Sequence, residues 1–142
     1  MFTVIQIENH SELLEDAFSI RRIVFVDEQK VSREEEFDNL DDVSNQYLVR
    51  DNDESIGTAR WRQTEKGIKL ERFAVLLPYR NKGAGDAILK RILADVIPLE
   101  QVIYLHAQEA AVRFYQRNGF SIVGDRFFEA NIPHFKMIYA HS

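Results

Sequence analysis

The spacing of hydrophobic and polar residues changes several times along this 142-residue chain, and each change marks an element. Phe2 to Ile7 is rich in β-branched residues and predicts a strand ending at Glu8-Asn9-His10. With Ser11 as N-cap, Leu13, Leu14, Ala17, Phe18, Arg21, Ile23, Val24 and Phe25 form a helical stripe reaching about Val26. The polar stretch from Asp27 to Ser44 predicts a loop with a short helix near Ser32 to Phe37. Strands at Gln46 to Arg50, Ser55 to Gln63 and Ile68 to Val75, separated by turns at Asp51 to Glu54 and Glu65-Lys66-Gly67, make a meander. A helix from Gly85 to Val96 places Ala84, Ala87, Ile88, Leu89, Ile92, Leu93 and Val96 on one apolar face, and Pro98 stops it. Val102 to His106 is a buried strand of the kind a helical crossover delivers in parallel. A helix from about Glu109 ends at Asn118-Gly119, and strands at Phe120 to Val123 and Phe135 to Ala140 complete the sheet.

Composition narrows the class. With 45% hydrophobic and 11% aromatic residues, the chain is expected to form one domain, residues 1–142, with a substantial core. No apolar run is long enough for a membrane span and no basic leader precedes Glu8, so a soluble cytoplasmic protein is expected. The absence of cysteine removes disulfides, thiolate zinc sites and cysteine nucleophiles together. His10, His106 and His141 lack metal-ligand spacing, and no metal is expected. A net charge of -5 argues against nucleic acid as a partner, because no basic surplus exists to displace counterions. The charge is uneven: Arg72, Arg80, Lys82, Lys90 and Arg91 face only Asp86, whereas the stretch from Asp27 to Glu54 is strongly acidic. That acidic stretch reads either as a solvated loop or as an entrance for a cationic substrate.

Arg80-Asn81-Lys82-Gly83-Ala84-Gly85 joins a strand to a helix. Unpaired amides at a helix start, glycines that allow close approach and two cations together suit a phosphate group. The same residues also suit a tight turn. A Walker A loop would need Gly-Lys-Ser/Thr, and a dinucleotide fingerprint would need glycine where Ile88 stands; neither is present.

Leu70 to Val75 followed by Pro78 to Gly85, and then Ala111-Val112-Arg113-Phe114-Tyr115-Gln116-Arg117-Asn118-Gly119-Phe120, resemble in this order the fourth strand, pyrophosphate loop and closing helix of the GNAT N-acetyltransferase superfamily. Val24 to Gln29 and Ile132 to Met137 resemble its ElaA/YjcF-like subgroup. The resemblance implies an α/β (α+β) fold: a mixed, mostly antiparallel sheet of about six or seven strands flanked by about four helices. In it a splayed parallel strand pair forms the CoA cleft. It implies acetyl-CoA as co-substrate, held by Arg80, Asn81, Lys82, Gly83, Ala84 and Gly85 at the pyrophosphate and by Phe73, Ala74 and Val75 along the pantetheine. Gln108 stands where many relatives have asparagine and is a further pantetheine contact. A homodimer is compatible with the resemblance.

Acyl transfer to an amine needs a deprotonated nucleophile and a route for the departing thiolate. The matched helix makes Tyr115 the candidate general acid; the same tyrosine also suits a core position. For the base, Glu71 lies on the face of Phe73 and Val75 if the strand keeps its period of two, and His134 has a near-neutral intrinsic pKa. Either also suits a structural ion pair or hydrogen bond. His134 and Glu28 are candidate contacts to a cationic acceptor, a small-molecule amine or a protein amino group. The leading expectation is an acetyl-CoA-dependent N-acetyltransferase; the alternatives are a catalytically silent CoA-binding regulatory module and an unrelated phosphate-ligand domain.

Overall fold

The computed structural model describes residues 1–9 and 11–140, so His10 and His141, weighed above as metal ligands, lie outside the described residues. Its elements in chain order are β1 (Phe2–Ile7), α1 (Leu14–Arg21), a π-helical segment (Arg22–Glu28), α2 (Arg33–Glu36), β2 (Asn45–Asp51), β3 (Glu54–Thr64), β4 (Gly67–Val75), α3 (Ala84–Val96), β5 (Ile103–Gln108), α4 (Val112–Arg117), β6 (Phe120–Ile122), β7 (Phe127–Glu129) and β8 (Ile132–Tyr139). The sheet runs in the order β1-β2-β3-β4-β5-β8-β6, with β7 paired to β8. Among the described residues only the β4–β5 pairing is parallel, and α3 is the crossover that joins those two strands.

The meander and the crossover follow the apolar pattern closely. Ala84, Ile88, Leu89, Ile92, Leu93 and Val96 all bury their side chains from α3, packing with Ile56, Ile68, Leu70 and Ile103 of the sheet. The opposite sheet face carries a second cluster of Ala17, Ile20, Val24 and Phe25 against Ile7, Leu48 and Ala74. The first helix departs from its prediction. Ser11 accepts from the Leu13 amide in a turn, α1 starts at Leu14, and after Arg21 the helix widens so that the Gln29 amide bonds Val24 O. Ser32 caps α2 instead, accepting from the Glu35 amide. No helix among the described residues is long and apolar enough to cross a membrane.

Candidate active site

β4 and β5 share only three register pairs, Ile68–Ile103, Lys69–Tyr104 and Leu70–Leu105. Beyond them β4 continues on β3 as far as Val75–Gly57, and β5 continues on β8 as far as Gln108–His134, so the two strands part. The cause is a bulge: Arg72 takes φ 61°, and the pairing slips between Arg60–Glu71 and Thr58–Ala74. The inserted residue also overturns the alternation expected for β4. Phe73 and Val75 pack with Leu70 on the α3 face, whereas Ala74 packs with the α1 cluster. Glu71 therefore lies on the face opposite Phe73 and Val75.

A cavity of about 440 Å³ opens along the parted strands. It brings together Glu71, Phe73, Gln108, Tyr115 and His134, while Glu28 and the loop from Arg80 to Gly85 lie outside its lining. Tyr115 is 7% exposed and edge-on to Phe73 across the gap, with ring centroids 5.8 Å apart. Burial pushes its phenol pKa up, so the hydroxyl stays protonated at neutral pH. Gln108 exchanges amide hydrogen bonds of 2.8 and 3.4 Å with Gln29.

Glu71 is occupied. Its carboxylate accepts from Arg60 Nε at 2.7 Å and Arg62 Nε at 2.8 Å, with Lys69 Nζ at 3.4 Å. Burial pushes this carboxyl up, but the charges of Arg60, Lys69 and Arg62 more than offset it and the net shift is downward, which makes it a poor proton acceptor. Arg60 also reaches Asp38 and Asp41 at 2.8 Å each, and Arg21 reaches Glu36 at 2.7 Å and Asp41 at 2.6 Å. Arg72 joins Glu36 and Asp38. Glu36, Asp38 and Asp41 thus clamp part of the acidic stretch onto the buried arginines of α1 and β3, and Glu34, Glu35, Glu36 and Asp38 also line the cavity.

Glu28 does hold a cation, but that cation is Arg80. Its carboxylate accepts from Nη1 at 2.7 Å and Nη2 at 2.9 Å, and Arg80 Nε donates to Val75 O at 2.8 Å. At the start of α3, Asn81 and Gly83 take φ 63° and 95°, and no atom lies within 4 Å of where a Gly83 Cβ would stand. The loop keeps open space beside Gly83 at the start of the helix.

His134 is 7% exposed, and its Nδ1 is 2.7 Å from Ile132 O. A carbonyl oxygen only accepts, so Nδ1 carries the hydrogen and neutral His134 presents a lone pair at Nε2. Nε2 lies 3.9 Å from Glu129 Oε2, and Glu129 Oε1 is 2.7 Å from His106 Nδ1. Sequence reasoning passed over Glu129, since three-residue β7 gives too short an alternation to register. Among the described residues, no group of His, Cys, Asp and Glu is arranged to hold a metal.

A mixed sheet with a parted parallel pair, a glycine loop between β4 and α3 and a buried tyrosine facing the gap suit an acyltransferase. The sequence model of the acetyltransferase (GNAT) domain matches residues 19–140. The chain belongs to the GNAT family, within its ElaA/YjcF-like subgroup, and is an N-acetyltransferase. It is 38% identical over 134 residues to YjcF of Bacillus subtilis (strain 168), described as an uncharacterized N-acetyltransferase, covering 93% of this chain and 96% of that one. Its fold matches an acyl-CoA N-acyltransferase from Pseudomonas aeruginosa with TM-score 0.85 and 26% identity, over 99% of each chain. Escherichia coli ElaA shares the fold at TM-score 0.83 and 22% identity, again over 99% of each chain.

Proposed function

We propose that the protein transfers an acetyl group from acetyl-CoA directly to a primary amine, of a small molecule, an amino sugar or a protein. The observation that carries this reading is the three-pair β4–β5 ladder. It leaves β4 from Glu71 to Val75 without a partner strand on its β5 side, where backbone groups other than Val75 O, which Arg80 Nε holds, stay available to an extended amide-bearing arm. The Phe73, Ala74 and Val75 backbone takes the pantetheine, and Gln108 adds an amide contact by exchanging Gln29 for it. Asn81, Lys82, Gly83, Ala84 and Gly85 take the diphosphate, with Arg80 joining once it releases Glu28.

Chemistry then falls to the cavity residues. His134 Nε2 takes one proton from the ammonium, and the freed nitrogen pair attacks the thioester carbonyl carbon. As the C–N bond forms and the C–S bond breaks, Tyr115 O–H gives its proton to the departing sulfur. The proton left on nitrogen returns to the phenolate through solvent, and His134 discharges its own, so one proton is released per turnover. Glu71, ion-paired on the far face, holds the wall rather than moving a proton.

Thiol release measured against a panel of amines tests the reading. Tyr115→Phe is expected to lower kcat by about 100-fold while leaving CoA affinity unchanged. An unaffected kcat would remove Tyr115 from the mechanism. CoA binding with no amine-dependent release in the native protein would point to a regulatory module instead.

A further inference from the structure

The hairpin joining β7 to β8 turns on Ala130 and Asn131, both at positive φ, 50° and 63°. Alanine is poorly suited to that backbone. The tight turn sets Glu129 opposite Ile132 and Phe127 opposite His134 in the register. Phe127 stacks on the His134 ring at 5.9 Å and stands edge-on to His106 at 5.1 Å, fixing both imidazoles around one carboxylate. Glu129 is the carboxylate between them, and its side chain is 44% exposed. Glu129, His106 and His134 all line the cavity that Tyr115 lines.

Two features suit this corner to a cation. The hydrogen on His106 Nδ1 points at Glu129 Oε1, which leaves Oε2 facing His134 Nε2 across 3.9 Å, too far for a direct hydrogen bond. An ammonium nitrogen seated in that gap can donate one N–H to each, at about 2.8 Å. The hydrogen bond from His106 also outweighs burial and, with the charge of Lys69, holds the Glu129 carboxyl below its ordinary range, so it stays ionised at neutral pH.

We infer that Glu129 is the acceptor-binding residue: its carboxylate captures the substrate as an alkylammonium cation and delivers it to His134 Nε2, with His106 as the residue that positions Glu129. This rests on the acetyl-transfer reading above and narrows its substrate class to amines that are protonated in solution. The proton balance is simple. The N–H bond facing Nε2 breaks, the N–H bond on imidazole forms, and the positive charge moves from the acceptor to His134, still beside Glu129. An acceptor that arrives uncharged draws nothing from the carboxylate.

The test compares butylamine, protonated at neutral pH, with trifluoroethylamine, which is not, as acceptors for the native protein, Glu129→Gln and His106→Phe. Glutamine keeps the volume and an oxygen for His106. Glu129→Gln is expected to raise KM for butylamine by about tenfold and to leave KM for trifluoroethylamine within about twofold. His106→Phe should raise the same KM by a smaller factor with kcat nearly unchanged. Equal KM changes for both amines, or none, would overturn the inference while leaving acetyl transfer standing. A readout independent of turnover is the His134 ring proton signal during titration with butylammonium. It should move in the native protein and stay still in Glu129→Gln, and equal movement in both would also reject the site. If thiol release needs no amine at all, the acetyl-transfer reading fails first.

Discussion

Glu28 and Arg80 show how one contact changes the meaning of two residues that each look like a binding group. They are 52 positions apart, and their bidentate pair occupies the guanidinium that a diphosphate at the glycine loop would use. The hydrogen bond from Arg80 holds the Glu28 carboxyl below its ordinary range, so the pair persists throughout the neutral range. It is exposed, and exposed ion pairs are weak, so releasing it should have a modest effect. Glu28→Gln is expected to tighten CoA binding about two- to fivefold at low salt and less at high salt, measured by calorimetric titration. Weaker binding would mean that Glu28 orients Arg80 for the ligand instead of competing with it. Sequence spacing carries no information about such a pair, whereas Tyr115 is legible because its whole helix follows one pattern.

At the scale of elements, two glycines with positive φ bracket the segment that builds the cleft, and their surroundings give them opposite roles. Gly67 opens β4 at φ 127°, and a Cβ there would stand 2.3 Å from Val102 O, the oxygen that accepts from the Ile68 amide. Gly67→Ala must push β4 away from β5 where the parallel ladder begins. It is expected to cost about 2–4 kcal/mol, seen as a lower urea midpoint with an unchanged slope. Gly83, with open space around it, should behave differently. Gly83→Val is expected to cost about 1–2 kcal/mol from its backbone angle yet abolish CoA binding, because its side chain fills the space beside the amides. Equal loss of stability in both variants would argue against the loop as a ligand cradle. The longer strands and α3 were readable because each runs six residues or more of β-branched or helix-periodic sequence. The bulge at Arg72 was not, since inserting a residue leaves the apolar pattern intact while reversing the face of Glu71. β7 escaped notice because its turn uses Ala130, a residue without turn preference.

Taken as a whole, the molecule closes one side of its cleft with charge rather than with apolar packing. Arg60 on β3, fully buried, meets Glu71 of β4 and both Asp38 and Asp41 of the segment between α2 and β2, so one side chain ties the β3–β4 pair to a segment outside the sheet. Around it the carboxyls of Asp38, Asp41 and Glu71 all sit below their ordinary range: burial raises each, and the neighbouring arginines more than reverse it. Glu36 goes the other way, because burial lifts it further than Arg72 and Arg21 pull it down. A carboxyl depressed by folding contributes stability that is complete above its unfolded value, about 4, and is lost as pH falls through its folded value. Native stability should therefore drop on acidification below about pH 4. Arg60→Met reverses this. Asp38 and Glu71, still buried but without their main cation, are then raised by folding, and their contribution is lost as pH rises, while Asp41 keeps its bond from Arg21. The variant is expected to be about 3–5 kcal/mol less stable than the native protein at pH 7. That deficit should shrink steadily toward pH 4, because a protonated carboxyl no longer needs a counter-charge. Thermal midpoints of both proteins measured from pH 4 to pH 8 would show the two curves converging in acid. Curves that run parallel would mean that Arg60 holds the wall through shape and hydrogen bonding, with its charge contributing nothing.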